Sequence, residues 1–169
     1  NGRVAAIVSP TNPTLVEVTR GPLVESEHRG AVCVAAADGR TLLSIGDCGQ
    51  AIYPRSAIKV MQAIPVVASG AADAFAFDDR ALALCCASHS GEPEHTALAA
   101  DMLARAGLGV TDLECGAHPP MNDSAARALV KAGARPTALH NNCSGKHAGM
   151  LATARHLGWP TAGYVQPDH

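Results

Sequence analysis

An α+β fold, with its strands and helices segregated along the chain, is the class this sequence predicts. Three observations carry it. Short apolar runs with strand character fill the first fifty residues, helical texture follows Pro54, and no alternation of strand and helix joins the two regions.

Residues 4–8 (VAAIV) and 14–18 (TLVEV) read as short strands, the second alternating well. Residues 31–37 and 41–46 flank Asp38-Gly39, and that dipeptide between apolar runs signals a hairpin because glycine accepts positive φ. Together these runs predict an antiparallel sheet over the first fifty residues. Residues 56–69 (SAIKVMQAIPVVAS) then form a mostly apolar, buried helix that Pro65 ends or kinks. Asp78 or Asp79 caps a helix through RALALCCA. Pro93 suits the first turn of the next one, where Leu98, Met102 and Ala106 line one face before Gly107 stops it. Asn122 or Asp123 opens another helix ending near Gly133. Ser144 begins the last, with His147, Met150, Leu151 and Ala154 on a shared face.

Composition narrows the function classes. Of 169 residues, 47% are hydrophobic and 17% charged, which argues for a folded chain. A net charge of -2 lacks the basic footprint of a nucleic-acid binder. No apolar run approaches the ~20 residues of a bilayer span, so no membrane role is expected. There are 33 alanines but only five aromatics, so the core must rely on close approach of backbones rather than on large rings. Six cysteines show neither a C-x-x-C pair nor a secreted framework, and a reduced, cytoplasmic setting is expected. Cys33, Cys85 and Cys86 lie in apolar runs and read as small core residues.

Ten arginines accompany only Lys59, Lys131 and Lys146. Arginine stays charged, whereas a lysine removed from water can give up its proton and act as a base. Ser56-x-x-Lys59 places a hydroxyl and an amine on one helical face, directly after Tyr53-Pro54-Arg55. That pair makes an acyl-transfer nucleophile with its base, near backbone N–H groups able to hold an oxyanion. The plain alternative is a helix cap and a solvated lysine.

A second polar segment, Ala87 to His95, presents Ser88 and His89 directly after a buried-looking run. Small residues, Gly and Pro are also ordinary turn material. A third segment, Asn141-Asn142-Cys143-Ser144-Gly145-Lys146-His147, groups a thiol and two nitrogen donors at a helix start. It lacks the glycine spacing of a phosphate loop, and zinc or a Cys–His nucleophile pair are the functional alternatives to simple capping. Glu114-Cys115-Gly116 and His118-Pro119-Pro120 read as structural.

The segments YPRSAIKVMQAIP, CASHSGEPEH, CGAHPP and HNNCSGKHAGML, in this order, resemble the rhizobial-type L-asparaginase II family, from about Ala31 to His169. The resemblance implies hydrolysis of L-asparagine to aspartate and ammonia. It also implies a layered α/β/α fold similar to serine β-lactamases and glutaminases, and a homodimer. Ser56 and Lys59 match one of the family's two Ser–Lys pairs, and Ser88 matches the serine of the other. Cys143 and Lys146 match two ligands of the family's zinc site. Substrate contacts are expected at Arg55, His89, Asn142 and His147, which border these motifs. Ser56 is the favoured nucleophile, on the strength of its neighbour Lys59.

Family members are longer, so residues 1–169 are expected to be an N-terminal half, sheet-forming over 1–50 and motif-bearing over 51–169. The lysine paired with Ser88 and the second zinc cysteine are implied to lie in the complementing C-terminal half. Two other functions share these motifs. One is acyl transfer on another amide, as in glutaminases and β-lactamases; the other is a non-catalytic half-domain that binds an amide or a partner chain.

Overall fold

The computed structural model describes residues 12–169, so the expected strand at 4–8 lies outside the described residues. The chain divides after Tyr53 into a strand unit and a helical unit, the latter running from Pro54 to His169.

In the strand unit, β1 (Thr14–Arg20) pairs antiparallel with β2 (Leu23–Arg29), turning at Gly21 where φ is +61°. A second hairpin joins β3 (Val32–Ala35) to β4 (Thr41–Ile45) through the Asp38-Gly39 turn. There the Asp38 side chain accepts from the Arg40 N–H at 2.9 Å, and Gly39 takes φ +85°. The expectation of one antiparallel sheet is therefore corrected: the described strands form two separate two-stranded sheets. A two-stranded ribbon leaves its flanks uncovered. Val32, Cys33, Val34, Leu42 and Leu43 are accordingly exposed, and Cys33 is not the core residue its apolar run suggests.

The helical unit contains α1 (Lys59–Ala68), α2 (Ala71–Ala74), α3 (Asp79–Cys86), α4 (Pro93–Arg105), α5 (Asp123–Lys131) and α6 (Ser144–His156). Their boundaries follow local chemistry. The Asp78 carboxylate accepts from the Ala81 N–H and the Asn122 side chain from the Ala125 N–H, each at 2.9 Å, so both act as N-caps. Pro93 occupies the first turn of α4, and Gly107 at φ +70° follows that helix's end.

Pro65 neither ends nor divides α1, which continues to Ala68. Proline removes one hydrogen bond from a helix, but the next turn still closes, with the Ser69 N–H bonding the Pro65 carbonyl at 3.0 Å. Nor is α1 buried all round. Lys59, Ala63 and Val66 point inward, while Val60, Met61, Ile64 and Val67 are exposed.

The core is organised around α6, which packs against α1, α3 and α4. Met102, Leu103, Leu151 and Val66 are essentially sealed from solvent. Burying each such side chain stabilises the fold by about 1.5–3 kcal/mol. Two glycines let α6 and α3 touch. A Cβ on Gly145 would fall 2.5 Å from Leu84 Cγ, and one on Gly149 would fall 2.7 Å from Cys85 Sγ. This close approach seats the residues after α3 beside the start of α6. That is where the motifs meet.

Candidate active site

Ser56 lies in a 3-10 turn, Arg55–Ile58, that runs directly into α1. In a 3-10 turn residues i and i+3 eclipse, so Ser56 and Lys59 share a side without Ser56 belonging to the α-helix. Arg55 opens the turn at φ +52°, a left-handed conformation uncommon for a residue bearing a Cβ. Both Arg55 and Ser56 are exposed.

Lys59 is 2% exposed, the one lysine or carboxylate-class charge buried among the described residues. Its Nζ donates to the Ala87 carbonyl at 2.7 Å and to Ser88 Oγ at 2.6 Å. Ser88 Oγ in turn donates to Ser56 Oγ at 3.0 Å. The three side chains thus form one hydrogen-bonded run, with Ser88 in the middle. No direct Lys59–Ser56 bond occurs among the described residues.

Ser88 is held in place by its neighbour in the chain. His89 is buried; its N–H bonds the Asn142 carbonyl at 3.1 Å, and its Nδ1 accepts from the Gly91 N–H at 3.1 Å. Nδ1 is therefore unprotonated, and Nε2 carries the proton it gives to Ser144 Oγ at 2.8 Å. Ser144 passes its own proton to the Leu139 carbonyl at 3.0 Å. Burial, then the neighbouring His95 and Lys59, pushes His89 down to about 4. Both ring nitrogens of this expected substrate contact are occupied by protein, and the ring ties the Ser88 loop to the start of α6.

Asn142 receives that tie through its carbonyl, and its N–H bonds His118 Nε2 at 3.1 Å. Asn141 bridges further: its amide donates to the Cys115 and Gly116 carbonyls, and its Oδ1 accepts from the Cys143 N–H at 2.9 Å. The 114–120 segment thus braces the site, in the structural role its sequence suggests. Ser144, Asn141 and His118 are absent from the expected site residues. Ser144 reads as a helix opener, and nothing in its local sequence reveals a partner 55 residues away.

Cys143 is the N-cap residue of α6, and Lys146 lies within the first turn; both are partly buried. Cys115 is close enough to feel both groups. Burial raises its thiol above the ordinary range, with Cys143 adding to the rise and Lys146 opposing it. No cluster of three or more His, Cys, Asp or Glu able to hold a metal occurs among the described residues. Cys143 and Lys146 supply two donors, whereas zinc sites employ three or four protein ligands. The described residues alone do not complete such a site.

His147, next along α6, is buried and pushed down to about 4 by burial, then by Lys146 and Lys59. Its Nδ1 lies 2.8 Å from the Tyr164 hydroxyl.

A cavity of about 600 Å³ opens beside this cluster, lined by Ser88, Ser90, His89, His95, Arg80 and Glu94, among others. No helix among the described residues is long and apolar enough to cross a membrane, and all six cysteines are free thiols.

A buried lysine bonded to one of two adjoining serines is an arrangement suited to nucleophilic acyl transfer. The family model for L-asparaginase II matches residues 16–169. The chain belongs to the L-asparaginase II family, whose general reaction is the hydrolysis of asparagine. No curated protein matches the chain.

Proposed function

We propose that this chain carries the reacting groups of an L-asparagine amidohydrolase working through a Ser–Lys nucleophile. The observation that carries the reading is the continuous run from Lys59 Nζ through Ser88 Oγ to Ser56 Oγ, with contacts of 2.6 and 3.0 Å.

The run suggests how Ser56 is activated. With Lys59 as the free amine, the hydrogen bonds reverse: Ser56 gives its proton to Ser88, and Ser88 gives its own to Lys59. Ser56 Oγ then attacks the side-chain amide carbon of asparagine, forming a tetrahedral intermediate. The returning proton leaves with the amine as ammonia, and water resolves the acyl-enzyme to aspartate. Ser88 acts as the relay in this reading, and His89 holds it in place. Arg55, Asn142 and His147 border the cluster and are the proposed substrate contacts.

Zinc belongs to the proposal with Cys143 and Lys146 as two of its ligands, the remaining ligand coming from sequence outside residues 1–169. A lysine ligand must be neutral when bound. No step above runs through the metal. A β-lactamase- and glutaminase-like layered fold, a cytoplasmic setting and a homodimer complete the reading. The exposed apolar side of α1 supports the view that further protein covers this unit.

Ammonia release by the full-length enzyme tests the proposal. Asparagine should be hydrolysed in preference to glutamine, and Lys59→Met should abolish turnover. A Lys59→Met enzyme with ordinary asparaginase activity would overturn it.

A further inference from the structure

We infer that Tyr164 is a positioning residue: its hydroxyl fixes His147 as the tautomer protonated on Nε2, so that the ring offers substrate a donor N–H. The inference rests on the reading above, in which His147 meets the substrate.

Hydrogen accounting carries it. The Tyr164 hydroxyl accepts from the Glu114 backbone N–H at 3.0 Å and lies 2.8 Å from His147 Nδ1. A phenol has one proton to give, and no other acceptor for it occurs among the described residues. With Nδ1 accepting that proton, every group in the trio is satisfied. With Nδ1 protonated instead, two donors would converge on the phenol oxygen and the phenol proton would have no protein acceptor.

The trio is held stiffly. Tyr164 is 5% exposed, and its ring meets the imidazole edge-on, with centroids 5.5 Å apart at 75°. The Gly163 N–H bonds the Glu114 carboxylate at 2.7 Å, clamping the segment that bears Tyr164 to the segment that supplies the backbone donor.

The other nitrogen is left free for work. His147 Nε2 has no partner among the described residues, yet it is not sealed, since His95 Nδ1 is the fully buried side-chain atom found there without one. Lys146 and Lys59 both lie near enough to act electrostatically on the ring. A fixed N–H suits a carbonyl or carboxylate oxygen, and an amino-acid amide carries both.

Nitrogen-15 NMR of histidine-labelled protein at mildly alkaline pH reads the tautomer directly. Wild-type His147 should show a protonated Nε2 and a pyridine-like Nδ1, and Tyr164→Phe should move both shifts toward a tautomeric average. In the full-length enzyme Tyr164→Phe should raise KM for asparagine several-fold while kcat stays within about twofold. His147→Gln places an amide N–H near the position of Nε2, and in that background Tyr164→Phe should add no further rise in KM. A proton on Nδ1 in the wild type would overturn the inference, as would an equal KM rise in both backgrounds. Failure of the Ser–Lys reading would show instead as turnover surviving Lys59→Met, a result that leaves the NMR assignment untouched.

Discussion

Lys59 Nζ lies 2.6 Å from Ser88 Oγ, a residue 29 positions further along the chain, rather than on the serine three positions before it. The local S-x-x-K spacing thus brings Ser56 near the lysine, and tertiary structure inserts Ser88 between them. The amine reaches Ser56 only through Ser88, and three substitutions test the proposed roles.

Ser56→Ala and Lys59→Met should each lower kcat for asparagine by about 10³-fold or more, as expected when a nucleophile or its base is removed. Ser88→Ala should cost about 10²-fold, because the relay is lost while the nucleophile remains. Ammonia release by the full-length enzyme decides the matter. An inactive Ser88→Ala beside a near-normal Ser56→Ala would exchange the two roles.

For the metal, Cys143→Ser should strip zinc from the full-length enzyme or raise KM while leaving the fold intact. Elemental analysis with circular dichroism checks both halves of the statement. Stoichiometric zinc in a folded Cys143→Ser protein would remove Cys143 from the ligand set.

The contact between α3 and α6 yields a prediction about stability. Gly145→Ala pushes a methyl into Leu84, including its backbone carbonyl, which cannot swing aside like a side-chain tip. Overpacking of this kind costs about 1–3 kcal/mol, to be read as a lowered denaturant midpoint. The same change should depress kcat, since Leu84 lies on the helix that delivers Ser88. An alanine variant with an unchanged midpoint would mean that the two helices separate freely.

His89 makes the fold acid-sensitive. Its folded value of about 4 lies below the ordinary histidine value of 6.5, so between them the unfolded chain binds more protons than the folded one. Stability should therefore be full above about pH 6.5 and fall as the pH drops toward 4. His89→Gln should reduce the slope in chemical-denaturation series taken across the range, the remainder coming from His147, which burial pushes down to about 4 as well. An unchanged slope would assign the acid sensitivity to other groups.

Much of this is legible in the sequence, and the parts that are not have a common cause. The Asp38-Gly39 turn, the Asp78 and Asn122 caps and the Pro93 start are local events, decided within a few residues. β2 leaves no such mark because LVESEHR has no apolar face; its pairing with β1 rests on backbone hydrogen bonds. The α1 pattern shows apolar residues but not which side is covered, and Lys59 is more deeply buried than Val60 or Met61. Within the site, residue types and motif order point to the asparaginase family. The His89–Ser144 and His147–Tyr164 pairings span 55 and 17 positions, and no spacing rule reaches that far.

The open side of α1 gives the last prediction. Val60, Met61, Ile64 and Val67 are all exposed. Residues 1–169 expressed alone should associate in light scattering and show negligible asparaginase activity, and adding the downstream half should restore solubility and turnover. Ile64→Gln with Val67→Gln should reduce the association. A monodisperse, active monomer of unmodified residues 1–169 would show that no covering is needed.

Helix α6 is enclosed on most of its circumference, and it bears Cys143 at its cap with Lys146 and His147 in its opening turns. Any exchange along it must fit neighbours on several sides at once, so its repertoire of tolerated residues is narrow. The 87–92 loop and the 114–120 segment have more open surface and reach the same cluster from outside. Directed evolution toward a different amide would therefore find its productive variation at the positions of those two segments that lie outside the Ser88–His89 pair and are not buried, with the enclosed helix serving as an invariant bench on which new specificities are assembled.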